Sequence, residues 1–318
     1  MGESMNSNYP KVSVVVASYN SESRSELKKC LESIRWQDYK GELEILVSDG
    51  GSTDKSVEIS KLLGARVIHN SVTTELGFNG GKNLGIINAS GELITIVDAD
   101  NILMSSDYLT KMVQPFMEDE QVSMTVPMPY VPFPGECTDL CRYFCLMERR
   151  LWEDLTSFGI AVGSWIKFSP PEIVVSNGAI IRRSTLIKIG GWDYDTEVGY
   201  RLIKNGFNTF GLVKSAERFH IEMLNYRDVW RKYKRRILNQ IEESNKKKVS
   251  QTKINNQILN PFLFLKNELI SPLKLIPKED KKYYFITVKL FLIKVILGLQ
   301  YIFISRRFNS RKLDLEVQ

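Results

Sequence analysis

The chain is poor in the residues that build the commonest ready-made sites. It has two histidines and four cysteines in 318 residues. No Cys-x-x-Cys occurs. Cys137, Cys141 and Cys145 fall at i, i+4 and i+8, on one side of an expected helix, but no nearby histidine completes a metal tetrad. Together with Cys30 they read as buried, reduced thiols. The segment Met1–Pro10 is polar and lacks the apolar run of a signal peptide, so the chain is expected to begin in the cytosol. No internal repeat is visible, which argues against solenoids and propellers. Apolar residues are not scarce: at 43%, with 25% charged, they suffice for a full core in one large domain or in a domain with an appendage.

Charge is unevenly placed. Residues 231–318 carry 20 Lys and Arg against 7 Asp and Glu, a net of +13. The preceding residues carry 23 basic and 30 acidic side chains, a net of −7. An acidic body with a basic tail predicts a tail that meets an anionic surface. Anionic lipid headgroups and nucleic acid both offer such a surface; taken with the rest of the chain, a membrane surface is expected and nucleic acid is not.

The first hundred residues alternate between short apolar runs and amphipathic segments. Val12–Ala17, Leu43–Val47, Ala65–His69 and Leu93–Val97 read as buried strands. Glu26–Trp36, with Leu27, Leu31 and Ile34 at helical spacing, reads as a helix, as do Lys55–Leu63, capped by Thr53 or Asp54, and Gly81–Ala89. This β-α-β-α-β-α-β order predicts a doubly wound α/β architecture: a mostly parallel sheet with helices on both faces. In such sheets ligands bind beyond the carboxyl ends of the strands, where the polar breaks after Ala17, Val47 and Val97 converge. The last break holds Asp98-Ala99-Asp100. If the strand continues, the two carboxylates share one side and repel each other unless a cation sits between them. Mg²⁺ or Mn²⁺ carrying phosphate oxygens suits that need; a simple turn is the other reading.

The later residues are less regular. A strand is expected at Val122–Val126, and helices at Leu140–Phe158, Ser184–Ile189 and Thr196–Asn205. Glu172–Arg182 reads as strand or loop around Asn177-Gly178.

In order and spacing, several short motifs resemble family 2 glycosyltransferases of the GT-A fold, over about residues 10–236. They are Val12–Asn20, Val47–Asp54, Gly81–Ile86, Ala89–Glu92, Asp98-Ala99-Asp100, Asn177-Gly178-Ala179 and Gly190-Gly191-Trp192-Asp193. The resemblance implies an inverting, metal-dependent transfer from a nucleoside-diphosphate sugar, a UDP- or GDP-sugar. Ser18, Tyr19, Asn20, Asp49, Lys82 and Asp98 would bind the donor, with the Tyr19 ring flanking the base and Asp49 accepting from base or ribose. Asp100 would bind Mg²⁺ or Mn²⁺, with Asp98 and His220 sharing in it. Lys82 would neutralise the diphosphate, and a cation at a helix start already argues for a local anion. Arg231 and Arg235, which share a helix face, would hold the diphosphate. Asn177, Gly178 and Trp192 would lie on the acceptor side. Family members commonly carry Glu-Asp six residues before an Arg. Here Tyr194-Asp195 precedes Arg201, so the Glu is lost and Asp195 is the expected general base. An N-cap role for Asp195, or base duty by Asp193 or Glu197, are the alternatives.

Residues 283–304 form the most apolar segment, interrupted by Lys289 and Lys294 and flanked by basic residues. The expectation is a catalytic domain over 1–230 and a helical, membrane-associated region over 231–318, lying on the cytoplasmic face of the membrane. A true span and a packed helical appendage are the alternatives. A saccharide or lipid-linked saccharide is the expected acceptor. Rival readings are a polyprenyl-phosphate glycosyltransferase, whose anionic acceptor needs no base, and a catalytically silent sugar-nucleotide-binding protein.

Overall fold

The computed structural model describes residues 9–22, 26–69, 80–128, 131, 138–157, 159–170, 177–192, 195–220, 225–231, 233–234, 269–276 and 280–297. Within these, the chain forms two compact units, one of Met1–Phe133 and Leu151–Ile221, the other of Pro134–Arg150 and Glu222–Gln318.

The first unit is built on a nine-stranded sheet. Its strands are β1 (Val12–Ser18), β2 (Leu43–Asp49), β3 (Arg66–His69), β4 (Leu93–Ile96), β6 (Met124–Pro127), β7 (Ile160–Val162), β8 (Trp165–Phe168), β9 (Ile180–Arg182) and β10 (Phe210–Val213), in the order β3-β2-β1-β4-β9-β6-β10-β8-β7. A separate ribbon pairs β5 (Asn101–Leu103) with β11 (Arg218–His220). The helices are α1 (Glu26–Arg35), α2 (Ser56–Leu62), α3 (Gly80–Asn88), α4 (Tyr108–Glu118), α5 (Asp139–Leu155), α6 (Arg183–Lys188) and α7 (Asp195–Lys204).

Strand β1 shows why this sequence makes two layers. Val12, Val14, Val15 and Val16 are all fully buried. Val12, Val14 and Val16 join one core cluster with Leu27, Leu31 and Ile34 of α1. Val15 points the other way and joins a second cluster with Ile86 of α3. The period of two in a strand thus feeds a helix on each face. Each such side chain contributes about 1.5–3 kcal/mol on burial. Helix α3 crosses β1 so closely that a Cβ on Gly85 would lie 2.2 Å from Val15 Cγ1. A glycine inside a helix costs about 1 kcal/mol against alanine, and here close packing offsets it.

The sheet is mixed rather than wholly parallel. Pairs β1–β2, β2–β3, β1–β4 and β6–β10 are parallel, but β9 runs antiparallel to both β4 and β6, and β8 antiparallel to β10. Strand β9 is three residues long, too short to show a period. The expected cap of α2 also differs: Lys55 occupies the cap position without a side-chain bond, and Asp54 Oδ1 accepts from the Ser56 N–H at 2.9 Å one residue further out.

In the second unit, Leu140, Tyr143, Val229, Ile276, Tyr283, Ile286 and Leu290 form the core. They come from the start of α5 and from helical segments at 226–231, Ser271–Leu275 and 281–297. Residues 298–304 of the apolar stretch lie outside the described residues. No helix among the described residues is long and apolar enough to cross a membrane. Cys30, Cys141 and Cys145 are buried thiols outside any disulfide, and Cys137 lies outside the described residues.

Candidate functional site

The carboxyl ends of β1, β2 and β4 meet along one edge. Ser18 pairs directly with Asp49 in register, and Asp49 with His69 at the end of β3. Strands β2 and β3 lie on one side of β1 and β4 on the other, so this edge has the crevice of a topological switch point.

The loops after β1 and β2 are tied together. The Asn20 N–H donates to Ser52 Oγ at 2.9 Å, and Asn20 Oδ1 accepts from the Thr53 N–H at 2.8 Å. Asn20 adopts φ 48°, a region asparagine tolerates. The Tyr19 ring is 66% exposed and stands open to solvent. Asp49 is buried, and both its oxygens are used within its own turn. Oδ2 accepts from the Gly51 and Ser52 N–H groups at 3.0 Å each, and Oδ1 from the Ser52 hydroxyl. The remaining lone pair of Oδ1 is the one left for the contact with a base or ribose expected from the sequence.

The acidic pair is not on a strand. Strand β4 ends at Ile96, and Asp98–Asn101 forms a turn closed by the Asn101 N–H donating to Asp98 O at 2.9 Å. The strand alternation invoked for the pair therefore does not apply. Each carboxylate has its own partner instead. Lys82 Nζ, in the first turn of α3, lies 3.2 Å from Asp98 Oδ1. His220 Nε2 lies 3.2 Å from Asp100 Oδ2, while Asn101 Nδ2 donates to Asp100 Oδ1 at 2.7 Å. The local anion that a lysine at a helix start demands is thus the Asp98 carboxylate. The β5–β11 ribbon makes the second pair, since it places His220 directly opposite Asn101. Among the described residues no three His, Cys, Asp or Glu side chains close on one point, so Asp98, Asp100 and His220 do not form a triad.

Asn177 and Gly178, which the resemblance puts on the acceptor side, hold this turn in place, backed by Tyr108 and Arg218, which sequence reasoning did not single out. Asn177 Oδ1 accepts from the Asp98 N–H at 3.1 Å, and the Gly178 N–H donates to Ile96 O at 2.8 Å. The fully buried Tyr108 donates its hydroxyl to Gly178 O at 3.1 Å. Burial pushes the Tyr108 phenol up to about 12, against the opposing Arg218 guanidinium, so it stays a donor. Arg218, also fully buried, donates from Nη1 to Met128 O at 3.0 Å. It stands two residues before His220 on β11, a strand of three residues whose sequence is too short to announce it. Beneath the turn, Cys30 Sγ lies 3.7 Å from Asp98 O; burial raises its thiol well above the ordinary range, and the Asp100 and Asp98 carboxylates raise it further.

Asn83, beside Lys82 on α3, clamps Trp192. Its Oδ1 accepts from the Trp192 N–H at 2.6 Å and its Nδ2 donates to Trp192 O at 2.7 Å. Arg201 grips the preceding residues, donating to Ile189 O at 2.8 Å and to Gly191 O at 3.0 Å. Trp192 is 3% exposed and packed in the core, with Lys82 Nζ 5.6 Å from its ring centroid, so it is not an open acceptor platform. Asp195 is the first residue of α7; its side chain lies outside the described residues. Arg231, in the second unit, is exposed and pairs with Asp228 Oδ1 at 3.5 Å, and Arg235 lies outside the described residues.

This acid-bearing turn at a switch-point crevice matches a known family. The model described as "Glycosyl transferase family 2" matches residues 13–171. The chain belongs to glycosyl transferase family 2. Among similar proteins, "Glycosyltransferase GlyA" of Streptococcus pneumoniae is 37% identical over 111 residues, 34% of this chain and 15% of the relative. The "GalNAc(5)-diNAcBac-PP-undecaprenol beta-1,3-glucosyltransferase" of Campylobacter jejuni is 37% identical over 107 residues, 32% of this chain and 34% of the relative. The matches thus span about a third or less of these relatives' lengths. A solved structure, "Mannosyltransferase PcManGT from Pyrobaculum calidifontis in complex with GDP-Man and Mn2+", superposes with a TM-score of 0.54 at 17% identity. It covers 92% of this chain and 85% of that one, and shows that the two share the GT-A kind of mixed α/β fold.

Proposed function

We propose that this family 2 glycosyltransferase is a metal-dependent, inverting enzyme. It moves a sugar from a UDP- or GDP-sugar to a hydroxyl of a saccharide or lipid-linked saccharide at the cytoplasmic face of the membrane. The observation that carries this reading is the Asp100–His220 pair at the carboxyl end of β4. Two ligands about 2.1 Å from one ion and at right angles to each other stand about 3 Å apart. The 3.2 Å between Asp100 Oδ2 and His220 Nε2 therefore fits a shared cation in place of the direct contact. Carboxylate and imidazole suit Mn²⁺, and carboxylate suits Mg²⁺. The GDP-mannose and Mn²⁺ named with the Pyrobaculum structure support the same choice.

When bound, the cation supplies Lewis-acid stabilisation of the departing diphosphate. The chain's own residues do the rest. Lys82, at the positive end of α3, offers a second cation to the diphosphate and releases Asp98 toward the ribose or sugar. Tyr19 offers an exposed ring to the base. Asn83 and Arg201 hold Ile189, Gly191 and Trp192 upstream of α7, whose first residue is Asp195. As the acceptor oxygen bonds to the anomeric carbon and the bond to the diphosphate breaks, the Asp195 carboxylate takes the hydroxyl proton. The undecaprenol-linked substrate in the name of the Campylobacter relative supports a lipid-linked acceptor.

Asp195→Asn tests the acceptor half. With a hydroxyl acceptor the variant should lose about 10²–10⁴-fold in kcat while nucleotide binding is kept. Full activity would remove Asp195 as the base. Full activity confined to a lipid-phosphate acceptor would favour a polyprenyl-phosphate transferase instead.

A further inference from the structure

Helix 281–297 in the second unit has two apolar faces, and the described residues pack against one of them. Tyr283, Ile286, Leu290 and Leu297 are 7% exposed or less, and the first three pack with Leu140, Tyr143 and Val229. Thr287 Oγ1 donates to the Tyr143 hydroxyl at 3.1 Å on the same side. On the opposite side Phe285 is 73% exposed, Val288 43%, Leu292 51% and Ile296 47%. Spacings of three, four and four residues place these four in one stripe along the helix. Exposed apolar residues scattered singly need no explanation, but an aligned stripe does.

The charges carried by the helix itself all have one sign. Residues 281–297 contain Lys281, Lys282, Lys289 and Lys294 and no Asp or Glu. Lys282 Nζ lies 2.8 Å from Asp139 Oδ1, Lys289 Nζ is 5.2 Å from the Tyr226 ring centroid, and Lys294 Nζ is 4.9 Å from that of Tyr233. The region from 231 onward carries the net +13. A second copy laid on this face would oppose lysine to lysine. An anionic lipid surface complements both the stripe and the charge. A membrane crossing does not fit, because one face of the helix is already committed to protein.

We propose that Phe285, Val288, Leu292 and Ile296 form a docking face that lies flat on an anionic bilayer, with the helix axis in the plane of the interface. This rests on the membrane-surface reading above and names the face that serves it. The test is cosedimentation of the full chain with vesicles of phosphatidylglycerol and phosphatidylcholine, or of phosphatidylcholine alone. The wild type should bind the anionic vesicles and bind neutral ones far less. The double variant Phe285→Ser, Leu292→Ser should lower binding to anionic vesicles about tenfold or more, with thermal midpoint and donor hydrolysis unchanged. Equal binding by variant and wild type overturns the docking face while leaving membrane attachment standing. A wild type that ignores anionic vesicles overturns attachment itself. A wild-type dimer that the double variant converts to monomer makes a second copy the occupant and overturns the proposal.

Discussion

Asp100→Asn should lower the transfer rate by about 10³-fold, whichever donor proves correct, and leave the fold intact. The asparagine is nearly isosteric and retains an oxygen for the bond from Asn101 Nδ2, now 2.7 Å. The ion pair it removes, with a partly exposed histidine, is worth at most about 1 kcal/mol of stability. What disappears is the negative charge that faces His220 across 3.2 Å and would hold a cation there. Rate and thermal midpoint therefore separate: the first collapses and the second barely moves. Steady-state kinetics with Mn²⁺ beside a melting curve measures both. A variant with near wild-type turnover would remove Asp100 from the machinery.

The second large effect is structural and reaches the same turn from behind. Gly178→Ala places a Cβ 2.6 Å from the Tyr108 hydroxyl, at a residue with φ +78°. Tyr108 is fully buried and cannot swing aside. Left-handed backbone in a residue with a side chain costs about 1–2 kcal/mol, and overpacking about 1–3 more. A loss of about 2–5 kcal/mol is expected, seen in denaturant or thermal unfolding. Because Gly178 and Asn177 hold Ile96 and Asp98 through backbone bonds, activity should fall beyond what the lost stability explains. Tyr108→Phe in the same background removes the opposing oxygen and should recover part of the stability. An unaltered unfolding midpoint for Gly178→Ala would contradict this support.

Much of the frame was legible because its signals are local. The run Val12–Ala17 could only be a buried strand, and Leu27, Leu31 and Ile34 could only be one face of a helix. Both assignments needed neighbours a few residues away. The acidic pair was visible as chemistry but misplaced as geometry: the strand stops at Ile96, and the turn at Asp98–Asn101 sends each carboxylate to a different partner. What the sequence hid was long-range. His220 meets Asp100 across 120 positions through two three-residue strands too short to show a period. Asn83 meets Trp192 across 109 positions by a reciprocal backbone clamp that no spacing announces. The turn role of Asp49 was likewise hidden: its residue type in sequence fits a turn and a nucleotide contact equally, and only the structure shows the three bonds it accepts within its own turn. The apolar stretch 283–297 concealed which side of its helix is covered, since both faces are apolar and only packing tells the covered one from the open one.

The central claim is that Asp100 and His220 hold a cation that secures the diphosphate of a nucleotide sugar. Titration calorimetry of the full chain with UDP and with GDP, each with and without Mn²⁺, tests it most directly. One nucleotide should bind at least about tenfold tighter with the metal present, and Asp100→Asn should abolish that gain. Equal affinity with and without Mn²⁺ for both nucleotides, on protein whose melting curve shows it folded, would contradict the account.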